Sequence, residues 1–147
     1  MAIIIRDALE SDEAAWRKLW AGYLAFYETD VPEEVTAFTW ARILDPGSRV
    51  SMRLADEDGT VLGFAIHHYH DSTWDIAPEG YLEDMFVDED TRGKGIGRAL
   101  INDLVTISRR NGWRGIYWHT RHDNARARKL YDSYVETDGH IRYRLET

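Results

Sequence analysis

Tyr81-Leu82-Glu83-Asp84-Met85-Phe86-Val87-Asp88-Glu89-Asp90-Thr91-Arg92-Gly93-Lys94-Gly95-Ile96-Gly97-Arg98-Ala99-Leu100-Ile101 reads as a strand, an acidic turn, a glycine-punctuated basic loop and the opening of an amphipathic helix. Glycines at 93, 95 and 97 leave no Cβ to hold a bulky anion off the backbone, so successive N–H groups can point at it from the first helical turn. Arg92, Lys94 and Arg98 add charge there, and the chemistry this suits is a pyrophosphate. A P-loop needs Gly-Lys-Ser/Thr, but Gly93-Lys94 is followed by Gly95. A dinucleotide fingerprint needs G-x-G-x-x-G; here the third glycine comes one residue early, and no acidic residue follows about twenty positions on in a second strand.

Outward from that stretch, the chain reads as one α/β domain over residues 1–147. Met1-Ala2-Ile3-Ile4-Ile5-Arg6-Asp7 has too short an apolar run for a signal peptide or membrane span and reads as a first strand. Ser11 is placed to cap a helix carrying Trp16, Leu19, Trp20, Tyr23, Leu24 and Tyr27 at helical spacing, a stripe that reads as core. A second helix follows Pro32 as far as Leu44. Arg49 to Ala55 and Thr60 to His70 read as a hairpin about Asp58-Gly59. Glu79 to Val87, Gly115 to Thr120 and Gly139 to Leu145 read as further strands, with helices from Ile96 to Asn111 and from Asn124 to Tyr134. The order is β α α β β β α β α β, a mixed sheet with helices on both faces, in which strands 81–87 and 115–120 are parallel because a helix joins them.

Charge is segregated within the net −8: Arg92 to Lys129 holds ten basic residues against Asp103 and Asp123, so that window carries +8 and the remainder −16. A polyanionic tail suits the first region and a protonated amine the second. The chain has no cysteine, which excludes a thiol nucleophile and fits a reducing cytoplasm. His67, His68, His70 and Asp71 do not form a convincing metal set, since His68 and His70 share one strand face and His67 takes the other.

The pattern Arg92-x-x-Gly95-x-Gly97 after a strand resembles the acyl-CoA pyrophosphate loop of the GNAT superfamily of N-acetyltransferases. The element order resembles the GNAT fold, which implies a central, mostly antiparallel sheet whose parallel pair splays to admit acyl-CoA. Tyr81-Leu82-Glu83-Asp84 is similar to the corresponding strand of diamine acetyltransferases and of small members related to histone and polyamine acetyltransferases. Asn124-Ala125-Arg126-Ala127-Arg128-Lys129-Leu130-Tyr131 looks like the family's second signature, a capping asparagine followed by a tyrosine near the sulfur.

The resemblance implies acetyl-CoA as co-substrate, with Met85, Phe86 and Val87 taking the pantetheine. Arg92, Gly93, Lys94, Gly95, Ile96, Gly97 and Arg98 would hold the pyrophosphate, and Asn124 and Arg126 would complete the site. It makes Tyr131 the general acid and Glu83 the residue that binds or deprotonates the amine, with His119 the fallback base. Glu83 and Asp84, as neighbours on a strand, are expected on opposite faces. His70-Asp71-Ser72-Thr73-Trp74 reads as a loop at the acceptor entrance. One departure stands out: relatives follow the tyrosine helix with an early glycine, whereas here Ser133-Tyr134-Val135 continues and Gly139-His140 comes later.

The expectation is direct transfer to a small cationic amine, a polyamine or an amino-acid-like compound, by a cytoplasmic homodimer with no metal, nucleic acid or membrane. The rival readings are a protein lysine or N-terminal acetyltransferase and a non-catalytic acyl-CoA-binding module. Tyr131 together with Glu83 argues against the latter.

Overall fold

The computed structural model describes residues 2–147. Strand β1 (Ile3–Asp7) is followed by helices α1 (Glu13–Phe26) and α2 (Glu33–Leu44), then by β2 (Ser51–Glu57), β3 (Thr60–His70) and β4 (Glu79–Val87). Helix α3 (Ile96–Asn111), β5 (Ile116–Trp118) and α4 (Ala125–Tyr131) complete the order. The β2–β3 hairpin closes where sequence places it: Asp58 and Gly59 take φ of 53° and 87°, and the Asp56 carboxylate accepts the Gly59 N–H at 2.7 Å.

The five strands lie in chain order, antiparallel from β1 to β4, with β5 parallel to β4. That parallel pair has only three rungs, Gly80 to Ile116, Tyr81 to Tyr117 and Leu82 to Trp118. Past Leu82 the strands part, and β4 runs on to Val87 with its β5-side edge unpaired. The gap between them is the opening on which the site is built.

Each face of the sheet is covered. On one, Trp16 stacks on Trp20 and Trp40 at 5.4 and 5.3 Å and packs over Leu54, Phe64 and Phe86. On the other, Ile96, Leu100, Ile101 and Leu104 of α3 press against Ala55, Ala65 and Leu82. Each such fully buried side chain contributes about 1.5 to 3 kcal/mol of transfer free energy, so α3 is anchored firmly enough to fix the loop that precedes it.

Four sequence expectations are corrected. Ser11 does not cap α1: it lies in a 3₁₀ turn over Glu10–Asp12, and the Asp12 carboxylate is held by Arg6 and the Leu9 N–H. Strand β5 stops at Trp118, and beyond it the Arg121 guanidinium lies 5.3 Å from the ring of Tyr27, the residue that follows α1. The last strand, Gly139 to Leu145, does not form, and α4 ends at Tyr131 rather than Tyr134. Ile141, Tyr143 and Leu145 alternate as a strand would, yet are 78, 92 and 88 % exposed, because no neighbouring strand among the described residues supplies a ladder.

Candidate active site

Gly93 and Gly95 sit at φ of 92° and 77°, the left-handed region open to glycine, and bring the chain round so that α3 starts at Ile96. No side chain caps α3 and its first turn holds no acidic residue, so its leading N–H groups face outward unmatched. Arg98 sits in that turn and Arg92 lies beside it against the Phe86 ring. A helix start of this kind attracts an anion through aligned N–H groups and the positive end of the helix dipole. Gly97 serves packing instead: a Cβ there would lie 3.2 Å from Leu130 Cδ2, so glycine lets α4 close on α3.

The turn opens on a cleft of about 370 Å³ that runs into the gap between β4 and β5. Met85, Phe86, Val87, Arg92, Gly93, Gly95, Ile96, Gly97, Arg98, Asn124, Arg126 and Tyr131 all line it. Lys94 and Glu83 do not. Lys94 turns to Glu57 on β2 at 3.1 Å, and the exposed Glu83 carboxylate meets His68 Nε2 at 2.8 Å. Asn124 caps α4, its side-chain oxygen accepting from the Ala127 N–H at 3.5 Å. Tyr131, at the far end of that helix, packs edge-on against Trp118. Burial, and secondarily the nearby Tyr27, pushes its phenol up to about 12, so it holds its proton firmly at neutral pH.

Strand β4 breaks alternation where the chemistry is expected. Asp84 is level with Ile66 and Leu82 with His67, so Glu83 is the extra residue of a β-bulge. Glu83 and Asp84 are therefore not on opposite faces in the simple sense. Asp84 accepts a hydrogen bond from Tyr23 Oη at 2.8 Å, while Glu83, beside it, meets His68. Burial raises the Asp84 carboxyl to about 6 against the opposing Tyr23 hydrogen bond, and Glu83 adds to the rise.

Further along β3, β4 and β5, outside the residues that line the cleft, the sheet carries an aromatic cluster. Tyr81 stacks on Tyr117 at 4.8 Å, His119 stands edge-on to both, and His70 Nε2 meets Tyr117 Oη at 2.9 Å. His67 is buried separately against Trp113. Among the described residues no group of three or more His, Asp or Glu is gathered to hold a metal ion.

Residues 13–134 match the model of the acetyltransferase (GNAT) family. The chain belongs to that family. It is 35 % identical over 144 residues, 97 % of its length and 89 % of the relative's, to the D-amino-acid N-acetyltransferase HPA3 of Saccharomyces cerevisiae. To an aminoglycoside N(6')-acetyltransferase type 1 of Stenotrophomonas maltophilia it is 29 % identical, covering 96 and 92 % of the two chains. Its fold superposes on the aminoglycoside acetyltransferase AAC(6')-Iy, solved with a bisubstrate CoA analogue, with a TM-score of 0.84, 24 % identity and full coverage of both chains.

The protein is thus an N-acetyltransferase of a family that uses acetyl-CoA. The residues of this GNAT domain fit the co-substrate: an uncapped helix start flanked by Arg92 and Arg98 suits a pyrophosphate, and the unpaired β4 edge offers main-chain groups to pantetheine amides. Sequence reasoning assigned Tyr23 and Tyr27 to the core, yet both line the cleft. Their spacing of four, in the last turn of α1 and at the residue that caps it, is the signal they give, and it is shared by any buried helical pair.

Proposed function

We propose that the protein transfers the acetyl group of acetyl-CoA directly to the primary amine of a small cationic acceptor, a polyamine or an amino-acid-like compound. The observation that carries this reading is the continuity of one cleft from the uncapped start of α3 to Tyr131. Arg92, Gly93, Gly95, Ile96, Gly97 and Arg98 hold the pyrophosphate by main-chain N–H groups and charge, with Asn124 and Arg126 alongside, while Met85, Phe86 and Val87 take the pantetheine. Lys94, turned toward Glu57, adds only to the field. Bound there, the co-substrate supplies an acetyl thioester as the electrophile.

Tyr131 delivers a proton to the departing sulfur; its phenol, pushed up to about 12, is protonated when needed. Glu83 stands where an ammonium would enter, among the eight acidic residues between Asp71 and Asp90. The names of the relatives, which act on D-amino acids and aminoglycosides, support amine acceptors of this size. A cytoplasmic homodimer completes the reading. The exposed apolar alternation of Ile141, Tyr143 and Leu145 supports self-association, and light scattering after size exclusion checks it.

The test is an acceptor panel with free-thiol detection: D- and L-amino acids, polyamines, an aminoglycoside, a basic peptide and an anionic amine. Turnover of the small cationic amines supports the proposal, and preference for the peptide or for an anionic acceptor would overturn it.

A further inference from the structure

The two strands that fall short of the sequence expectation bear on one end of the sheet. Strand β5 pairs over Ile116–Trp118 rather than 115–120, and residues 139–145 form no strand. Strand β5 is also the last in the sheet, and among the described residues its outer edge hydrogen-bonds to no other segment, so main-chain donors and acceptors stand open there. Residues 139–145 have what such an edge takes, with Ile141, Tyr143 and Leu145 alternating with His140, Arg142 and Arg144. The root of this tail is fixed, since Tyr134 Oη donates to Asn102 Oδ1 at 2.6 Å. Arg142 then passes close enough to Tyr81 of its own chain to act on it electrostatically, yet the tail joins no strand. The ground around the open edge has the opposite charge. Glu79 stands near Tyr117, and loop 71–78 carries Asp71 and Asp75 with Trp74 and Ile76 exposed. That loop is tied to the start of β5: Arg114 Nη1 donates to Ser72 Oγ at 3.0 Å and the Arg114 N–H to the Pro78 carbonyl at 2.9 Å.

We propose that residues 139–145 of one copy of this chain add as an antiparallel strand to the free edge of β5 in a second copy, and that the exchange is reciprocal. The inference rests on the homodimer of the reading above and names its interface. Charge decides which face each side chain takes. Ile116 and Trp118 belong to the core beneath α3, while Tyr117 lies on the opposite face, stacked on Tyr81. Ile141, Tyr143 and Leu145 seated beside Ile116 and Trp118 extend that core, and Arg142 and Arg144 then fall on the face of Tyr117, toward Glu79. Charge also decides the sense. An antiparallel tail brings Arg144 to the start of β5, where loop 71–78 offers Asp71 and Asp75, whereas a parallel one would bring Asp138 to the same carboxylates. The occupant is a second copy because each tail leaves its own apolar row in water. Since every tail passes its own sheet near Tyr81, a copy set there by a two-fold axis receives one tail and returns another, an isologous contact that closes on itself.

The experiment combines light scattering after size exclusion with hydrogen exchange read by mass spectrometry, on the full chain at high and at low concentration. Wild type is expected to be a dimer whose amides over 140–145 exchange at least about tenfold more slowly than after dilution to monomer. The double change Ile141→Asp with Tyr143→Asp alters two side chains that are exposed in the single chain, so the variant should melt cooperatively, with the dimer Kd raised about 10² fold or more. Ile4→Asp, at an exposed site on β1 at the opposite edge of the sheet, should leave the dimer intact. A dimer that survives the tail variant, or whose 140–145 amides exchange freely, overturns the strand exchange and leaves the homodimer standing. A monomer at every concentration overturns both, and slow exchange over 140–145 in that monomer would assign the tail to its own β5. If the tail variant does not fold, the concentration dependence of exchange in the wild type decides between these outcomes.

Discussion

At the Gly93–Arg98 end of the cleft the surface on offer is main chain, set by two positive φ angles and a helix start that no side chain caps. At the other end it is side chain: Tyr23, Tyr27 and Tyr131 line the cleft, and beyond that lining lie two adjacent carboxylates and histidines engaged one by one. The first end can be written into sequence in a handful of glycines. The second exists only once four elements have come together, and its ionisation states are set by that assembly. A backbone site tolerates change in its neighbours but not in its φ angles, whereas a side-chain site can be altered atom by atom.

Gly95→Val gives the largest expected effect. At φ 77° a β-branched residue is strained although the space around it is open, so the turn that aims the leading N–H groups of α3 at the cleft would be distorted. Wild-type protein at a hundredfold excess of acetyl-CoA over Kd should gain about 2.7 kcal/mol, read as a rise in melting temperature. The variant should lose that rise while its apo form still melts cooperatively. An unaltered shift would mean that the helix start does not hold the co-substrate.

Tyr131→Phe comes next and tests the other end. It removes one hydroxyl and little packing, so acetyl-CoA affinity should hold while kcat falls about 10² to 10⁴ fold. Wild-type turnover would return Tyr131 to the core, where it also packs on Trp118.

The same contrast explains what sequence could and could not tell. The glycine loop, the hairpin at Asp58-Gly59 and the parallel pairing of β4 with β5 were legible because each depends on local φ or on a handed connection. The bulge at Glu83 was not, since nothing in Tyr81-Leu82-Glu83-Asp84 departs from strand composition. Nor was the role of Tyr23 and Tyr27, because an aromatic stripe looks alike whether it meets a core or a cleft. The missing last strand is the reverse case: residues 139–145 carry the right alternation, but pairing is a property of a partner that composition does not name.

The side-chain end should also titrate. Burial lowers His67 to about 4, so between pH 6.5 and 4 the unfolded chain binds more protons there and acid weakens the fold. Asp84, raised to about 6, has the opposite sign: the native state binds more protons between pH 6 and 4, and its contribution grows with acid. The two offset, each on the order of 2 kcal/mol. Urea unfolding at pH 4.5 and 7 should find Asp84→Asn losing more stability with acid than wild type, and His67→Phe losing less. Equal acid losses in all three would refute these shifts.

Lys94→Ala should have the smallest effect, and it separates main chain from side chain within the loop itself. Sequence places Lys94 among the pyrophosphate ligands, but its ammonium sits half exposed beside Glu57, off the cleft that Arg92 and Arg98 line. A surface pair of that kind is worth about 0 to 1 kcal/mol and weakens with salt. The Kd for acetyl-CoA should therefore change by no more than about threefold, with the difference fading as salt is raised. Arg98→Ala removes a charge from the first turn of α3 and should cost about tenfold, the value of one charge-assisted contact. Isothermal titration of both variants at low and high salt measures the contrast directly. If Lys94→Ala cost as much as Arg98→Ala, the lysine would have to leave Glu57 when the co-substrate binds, and this end of the cleft would owe as much to side chains as the other.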